Sequence, residues 1–192
     1  MANKIFYGIT NVYYSKITET LGTNGQYTES YRTPVRLIGA RAISLPAQNE
    51  NVNFPADNNA NYWRQSIING YEGTLTMATI DDTFRKDILG ETINNTDSTL
   101  IESVNDTPVP FALIFQFEGD DKATRHLLYR CIAGKPEISS QTRDTTISPG
   151  EIGIPISAGG RLSDGLLKAK AEEGTTKYNN WNSAVYVPTV YQ

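Results

Sequence analysis

Apolar and polar residues alternate over short stretches of this chain, and Gly, Pro or Asn interrupts them at short intervals. That is the pattern of several short strands joined by turns. The clearest strand covers residues 109–118, where Val109, Phe111, Leu113, Phe115 and Phe117 share one face and Ala112, Ile114 and Gln116 the other. The period of two predicts that one of these faces is core. Glu118-Gly119-Asp120-Asp121-Lys122 then supplies turn residues, and Leu127, Tyr129, Cys131 and Ala133 alternate beyond it on a common face, so the two segments read as a β-hairpin. A second hairpin is expected from residues 62–68 and 71–80 around Asn69-Gly70, because Asn-Gly tolerates the positive φ values of a type I′ turn.

Residues 81–90 predict the one helix: Asp81 is an N-cap type, Phe84 and Ile88 stand at i, i+4, and Gly90 is a C′ type. Further strands are expected at 9–17, 34–45, 99–104, 137–147, 150–157 and 166–172, with a short helix or turn at 178–183 before the tail 184–188. Ser157-Ala158-Gly159-Gly160 reads as a flexible turn. Residues 46–60 carry too many Asn and Pro for an inner strand, and loops longer than about 12–15 residues in compact domains are commonly functional or disordered. The segment is expected to be a contact arm in the form of a loop. The fold class expected is mainly β, sandwich-like or barrel-like, with one flanking α-helix. A single domain spans 1–192, with the long loop at about 46–61 and a C-terminal arm at about 175–192.

Composition narrows the chemistry. Among 192 residues, 17 Lys+Arg against 21 Asp+Glu leave a net charge of −4, which disfavours a protein that grips nucleic acid by releasing counterions from its phosphates. One Cys and one His exclude an internal disulfide and a Cys/His structural zinc site, which needs four such ligands. The start of the chain lacks a basic region followed by a long apolar run, and no window approaches a membrane span, so a cytosolic protein is expected. Asn94 and Asn105 begin Asn-x-Thr triplets that carry meaning only in a secreted chain.

No catalytic constellation emerges. His126 lies inside an expected strand and no Gly-x-Ser-x-Gly elbow exists, so a strand histidine on a polar or inter-subunit face is the simpler reading. Cys131 reads as a small buried hydrophobe. Asp81, Asp82 and Asp87 are accounted for by the helix start, and Glu118, Asp120 and Asp121 by a turn; neither group has the spacing of a calcium loop. No phosphate-cradling Gly motif is present. No catalytic residue, cofactor or metal is therefore expected. Trp63 and Trp181, with eleven Tyr, point instead to self-association, since aromatics bury a large area while keeping a polar handle.

Several segments in order carry a resemblance. They are Phe54-Pro55-Ala56-Asp57-Asn58, then Asn69-Gly70-Tyr71-Glu72-Gly73-Thr74-Leu75, then Asp81-Asp82-Thr83-Phe84-Arg85 with Leu89-Gly90. Phe111-Ala112-Leu113-Ile114-Phe115-Gln116-Phe117-Glu118-Gly119-Asp120, Arg125, Tyr129-Arg130-Cys131, Lys135-Pro136, Trp181 and Val185-Tyr186-Val187-Pro188 continue the series. Together they resemble the major tail proteins, or tail-tube proteins, of long-tailed non-contractile bacteriophages of Gram-positive bacteria. Thr79-Ile80-Asp81-Asp82 departs from relatives that often have Pro before the helix. Some relatives add an immunoglobulin-like domain, for which this sequence is too short.

The resemblance implies a structural virion protein, assembled in the bacterial host cytoplasm. Its β-rich fold would be related to the tube proteins of contractile tails and type VI secretion systems. It implies hexameric rings stacked around a tape-measure protein, with tail-terminator and baseplate or distal tail proteins at the ends. DNA would pass through without specific binding, and no membrane is involved. On that reading Asn51, Phe54, Asp57, Asn58, Trp63, Trp181 and Tyr186 are the candidate inter-subunit contacts, and the lumen is expected to be acidic or neutral, the sequence leaving open which of Glu72, Glu118, Glu172 or Glu173 faces inward. A β-rich receptor- or carbohydrate-binding module is the alternative, and an enzyme working through carboxylates alone is a more distant one.

Overall fold

In chain order the strands are β1 (Tyr7–Leu21), β2 (Tyr27–Tyr31), β3 (Val35–Arg36), β4 (Ala40–Ser44), β5 (Ala47–Ala56) and β6 (Asn59–Met77). After the helical segment come β7 (Thr92–Ile93), β8 (Leu100–Ile101), β9 (Phe111–Glu118), β10 (Arg125–Ala133), β11 (Ile152–Gly159) and β12 (Lys168–Ala171). This is a computed structural model, and it describes residues 5, 7–140, 142 and 149–189. The protein is mainly β, as the alternation predicts, and its large antiparallel sheet is consistent with a β-sandwich.

The sheet runs β2-β1-β9-β10-β11-β6-β4. β10 acts as the hinge of this order. One edge pairs with β9 while the other pairs first with β12, at Arg125–Leu128, and then with β11, at Arg130–Ala133. The sheet thereby folds back on itself. Val12 and Tyr14 of β1, Phe111, Leu113 and Phe115 of β9, Leu75 and Met77 of β6, and Ile154 and Ile156 of β11 meet in one buried cluster.

The expectation of a single core face for β9 is corrected. Ala112 and Ile114, on its other face, are also buried, and pack with Leu127, Tyr129 and Trp181 in a second cluster. A sheet face left to water would not hold these residues, and here the chain after β11 covers it. The face assigned to Cys131 is corrected too. Leu128 pairs with Leu113 but Cys131 pairs with Phe111, so β10 carries one extra residue, and that bulge turns Cys131 and Ala133 into the first cluster while Leu127 and Tyr129 stay in the second. Cys131 is buried as expected, and burial pushes its thiol up, away from reactivity.

The helical segment is where the sequence places it. The Asp81 carboxylate accepts from the Thr83 amide at 2.8 Å, α1 (Asp82–Phe84) follows, and the chain widens into a π-turn over Arg85–Leu89 before Gly90 ends it at φ 80°. Phe84 packs edge-on against Tyr14 and Phe111, with centroids 5.1 and 5.9 Å away, and so closes the first cluster.

Other segments differ. The stretch 34–45 divides into β3 and β4, because Gly39 takes φ 94° between them. Of 99–104 only Leu100–Ile101 is strand, paired with Thr92–Ile93. Residues 137–140 form no strand, and most of the rest of the expected strand at 137–147 lies outside the described residues. Ser157, Ala158 and Gly159 belong to β11 rather than to a turn, because β6 and β10 supply backbone partners on both sides. The turn expected at 178–183 contains a 3₁₀ turn at Tyr178–Asn180.

Candidate assembly interface

The long loop expected at about 46–61 is corrected. Its residues form the strand β5, which pairs antiparallel with the first half of β6 from Ala47↔Tyr71 to Ala56↔Asn59. The turn is Asp57-Asn58, at φ 51° and 55°, the two positive values a type I′ hairpin requires. Asn is among the few L-residues that enter this region, so the Asn-rich composition that argued against an inner strand is compatible with an outer ribbon.

Asn69-Gly70 is correspondingly not a turn. Gln48 pairs with Gly70 and Asn49 with Ile68, leaving Asn69 as an extra residue in β6. Gly70 sits at φ 141°, and a Cβ there would lie 2.2 Å from the Ala158 carbonyl oxygen. Glycine is needed for the close approach of β11, and the bulge marks where β6 leaves the sheet and enters the arm. Ten residues of β5 at about 3.3 Å each give a projection of roughly 30 Å.

Pairing divides the arm into two faces. Val52 with Gln65, Phe54 with Trp63 and Glu50 with Ile67 point to one side; Asn49 with Ile68, Asn51 with Ser66 and Asn53 with Arg64 point to the other. Val52, Phe54, Trp63 and Ile67 are thus gathered on one face although all four are exposed. The opposite face is polar through Asn49, Asn51, Asn53, Arg64 and Ser66, with Tyr62 and Ile68 near its ends. β5 has no major packing partner except β6. A two-stranded ribbon with nothing behind it is marginally stable alone, so an apolar face of this kind invites a covering surface.

The structure brings five of the candidate contacts, Asn51, Phe54, Asp57, Asn58 and Trp63, together on this arm. It separates the other two. Trp181 is 2 % exposed and lies in the second core cluster, stacked on Tyr186 with centroids 5.8 Å apart, so its assignment as a surface contact is corrected. The face of β9 and β10 needed a cover, and Trp181 supplies it. Sequence reading missed Val52 and Ile67 as partners of Phe54 and Trp63. Their period-two spacing within an Asn-rich run was the available signal.

His126 sits half-buried on β10, its ring stacked on Phe115 at 5.3 Å and tilted against Phe117 at 5.4 Å. Burial, reinforced by the nearby Lys168, holds its pKa below the usual imidazole value. Asp120 works as a turn residue, accepting the Lys122 and Thr124 amides at 3.1 and 2.9 Å. Glu172 pairs with Lys122 at 2.8 Å, while Glu72 lies on the sheet face opposite Leu75 and Met77, beside Thr74 and Thr76. Among the described residues no group of three His, Cys, Asp or Glu is placed to hold a metal ion, and no helix is long and apolar enough to cross a membrane.

A second tightly held group fastens the covering layer. The Glu29 side chain is 1 % exposed and accepts from Arg161 Nε at 2.7 Å, the Leu162 amide at 2.6 Å and Ser163 Oγ at 2.9 Å. Burial alone would raise this carboxyl, but the three donors outweigh it and hold it below the usual range. β2 is thereby tied to the segment that follows β11.

No protein-family model matches this chain, and no curated protein is significantly similar to it.

Proposed function

We propose that this chain is a self-assembling structural subunit, the tail-tube protein of a long-tailed phage, whose copies form stacked hexameric rings around a tape-measure protein. The observation that carries the reading is the arm: a ribbon of roughly 30 Å, by the rise per residue above, with Val52, Phe54, Trp63 and Ile67 exposed on one face. The ordered resemblance in sequence supports it independently.

Physically, β2 and the β4–β5 edge stand at opposite ends of the sheet order. Such edges carry unpaired backbone groups, which a neighbouring copy satisfies by adding its own strand. Contacts between unlike surfaces close into rings by rotation, and arms that reach beyond one ring join it to the next. The outward face of β4, β6 and β11 carries Ser44, Glu72, Thr74, Thr76 and Ser157 in register, small or acidic and without a lysine among them. A face of that kind lining the channel would let DNA slide without counterion-releasing contacts. Terminator, baseplate and distal tail proteins would cap the stack, and the assembled protein would reside in the virion.

The carbohydrate-binding alternative has a cleft of about 400 Å³ beside Lys170, Thr175, Lys177, Trp181 and Tyr186 to draw on. Its indole is already covered, being 2 % exposed with Tyr186 stacked on it, and offers no free ring face to a sugar.

The test is to replace residues 48–69 with a two-residue turn between Ala47 and Gly70. Concentrated full-length protein should form rings or rods in negative-stain microscopy, and the shortened chain should stay a folded monomer. Persistent monomers of the intact chain, or undiminished polymers of the shortened one, would refute the proposal.

A further inference from the structure

An apolar groove of about 200 Å³ opens at the foot of the arm, bounded by Leu45, Tyr71, Phe115, Phe117, His126 and Lys168. Its volume is below the roughly 300–1,000 Å³ of small-molecule sites, and suits one or two side chains. Phe115 and Phe117 meet edge-on at 5.5 Å, and His126 stacks on Phe115, so the walls are aromatic. The rim is cationic. Lys168 Nζ lies 5.1 Å from the Tyr71 ring centroid, Lys168 and Lys170 both act on His126, and Lys168 makes no ion pair among the described residues.

A surface of the opposite character lies on the arm. The apolar face of the arm carries Phe54, Trp63, Val52 and Ile67 with a single acidic residue, Glu50, in the same row. The arm does not serve its own groove: it starts at the rim, one residue from Tyr71, and none of its residues from 48 to 69 lines the cavity. We propose that the groove is the receptor for the arm of a second copy of this chain, Phe54 or Trp63 entering between Tyr71 and Phe117 and Glu50 approaching Lys168.

This rests on the self-assembly reading and adds which surfaces meet. Knob and socket are different surfaces, so each copy gives one and receives one. The contact is heterologous and propagates instead of stopping at a dimer. Burial of aromatic groups supplies the affinity, and the charge pair fixes the register.

A photo-crosslinking benzophenone amino acid placed at position 54 tests it, in polymer assembled from isotopically light and heavy copies so that links between copies are recognised by mass. Links from one copy to the segments carrying Leu45, Tyr71, Phe117 or Lys168 of another are expected. Polymer whose links fall elsewhere overturns the groove while leaving self-assembly standing; failure of the unmodified chain to assemble overturns both. Charge reversal gives a second readout. Lys168→Glu, at an exposed position, should raise the assembly threshold about tenfold, the effect of losing one charge pair worth ~1.4 kcal/mol. Combining it with Glu50→Lys should restore the threshold. An unchanged threshold in K168E, or no recovery in the double variant, counts against the pairing.

Discussion

Phe54 and Trp63 stand directly opposite each other across the arm, 61 % and 47 % exposed, while Trp181, the other tryptophan, is 2 % exposed. The two indoles therefore answer to different forces. One is left open to solvent; the other lies in a core.

Replacing Trp63 with Ser, alone or with Phe54→Ser, should leave monomer stability within about 0.5 kcal/mol, since neither ring is packed by the rest of the chain. Assembly should become at least tenfold less favourable. Urea denaturation and sedimentation at a series of concentrations measure the two effects separately.

Trp181→Ala should do the reverse. It empties the space over Ala112, Ile114, Leu127 and Tyr129, a loss of about 3–5 kcal/mol by analogy with other buried aromatics. A lowered urea midpoint in the monomer is the expected result; a normal midpoint with lost assembly would return Trp181 to the interface.

Gly70→Ala should destabilise the monomer by about 2 kcal/mol or more, because the added Cβ would meet the Ala158 carbonyl at 2.2 Å with φ at 141°. If Asn69-Gly70 were a free turn, the same change would cost much less. Thermal unfolding distinguishes the two.

Arg161→Met should cost about 3–5 kcal/mol, since it leaves the Glu29 carboxylate buried without its guanidinium partner. Adding Glu29→Gln should recover part of that loss, a pattern read from a double-mutant cycle.

Two of the depressed pKa values, those of His126 and Glu29, bear on the acid response. His126 is held below its unfolded value of 6.5, so the folded state binds fewer protons there, and stability falls as pH drops below about 6.5 toward the folded pKa. Glu29, held below 4.5, likewise contributes stability above that value and loses it as pH falls through its folded pKa. His126→Gln should flatten the loss that begins below pH 6.5 and leave the lower one in place. Denaturant midpoints across this range provide the check.

Local chemistry made much of the fold legible. The alternation from Phe111 to Phe117 marks β9, and Asp81 with Gly90 bounds the helical segment, because each signal depends on contacts within a few residues. Phe54, Asp57 and Asn58 were singled out as candidate contacts because so Asn- and Pro-rich a run does not suit an inner strand.

What sequence could not determine was which partner each segment takes. Asn69-Gly70 and Asp57-Asn58 both satisfy the local rules of a type I′ turn, and only the register of β5 against β6 selects the second, leaving the first as a bulge beneath β11. Likewise the period of two in β10 cannot reveal a bulge between Leu128 and Cys131, nor a cover from Trp181 far along the chain. Propensity and alternation are properties of neighbouring residues and were fixed by sequence alone. Register and the second buried face depend on groups distant in the chain, and the tertiary structure decided them.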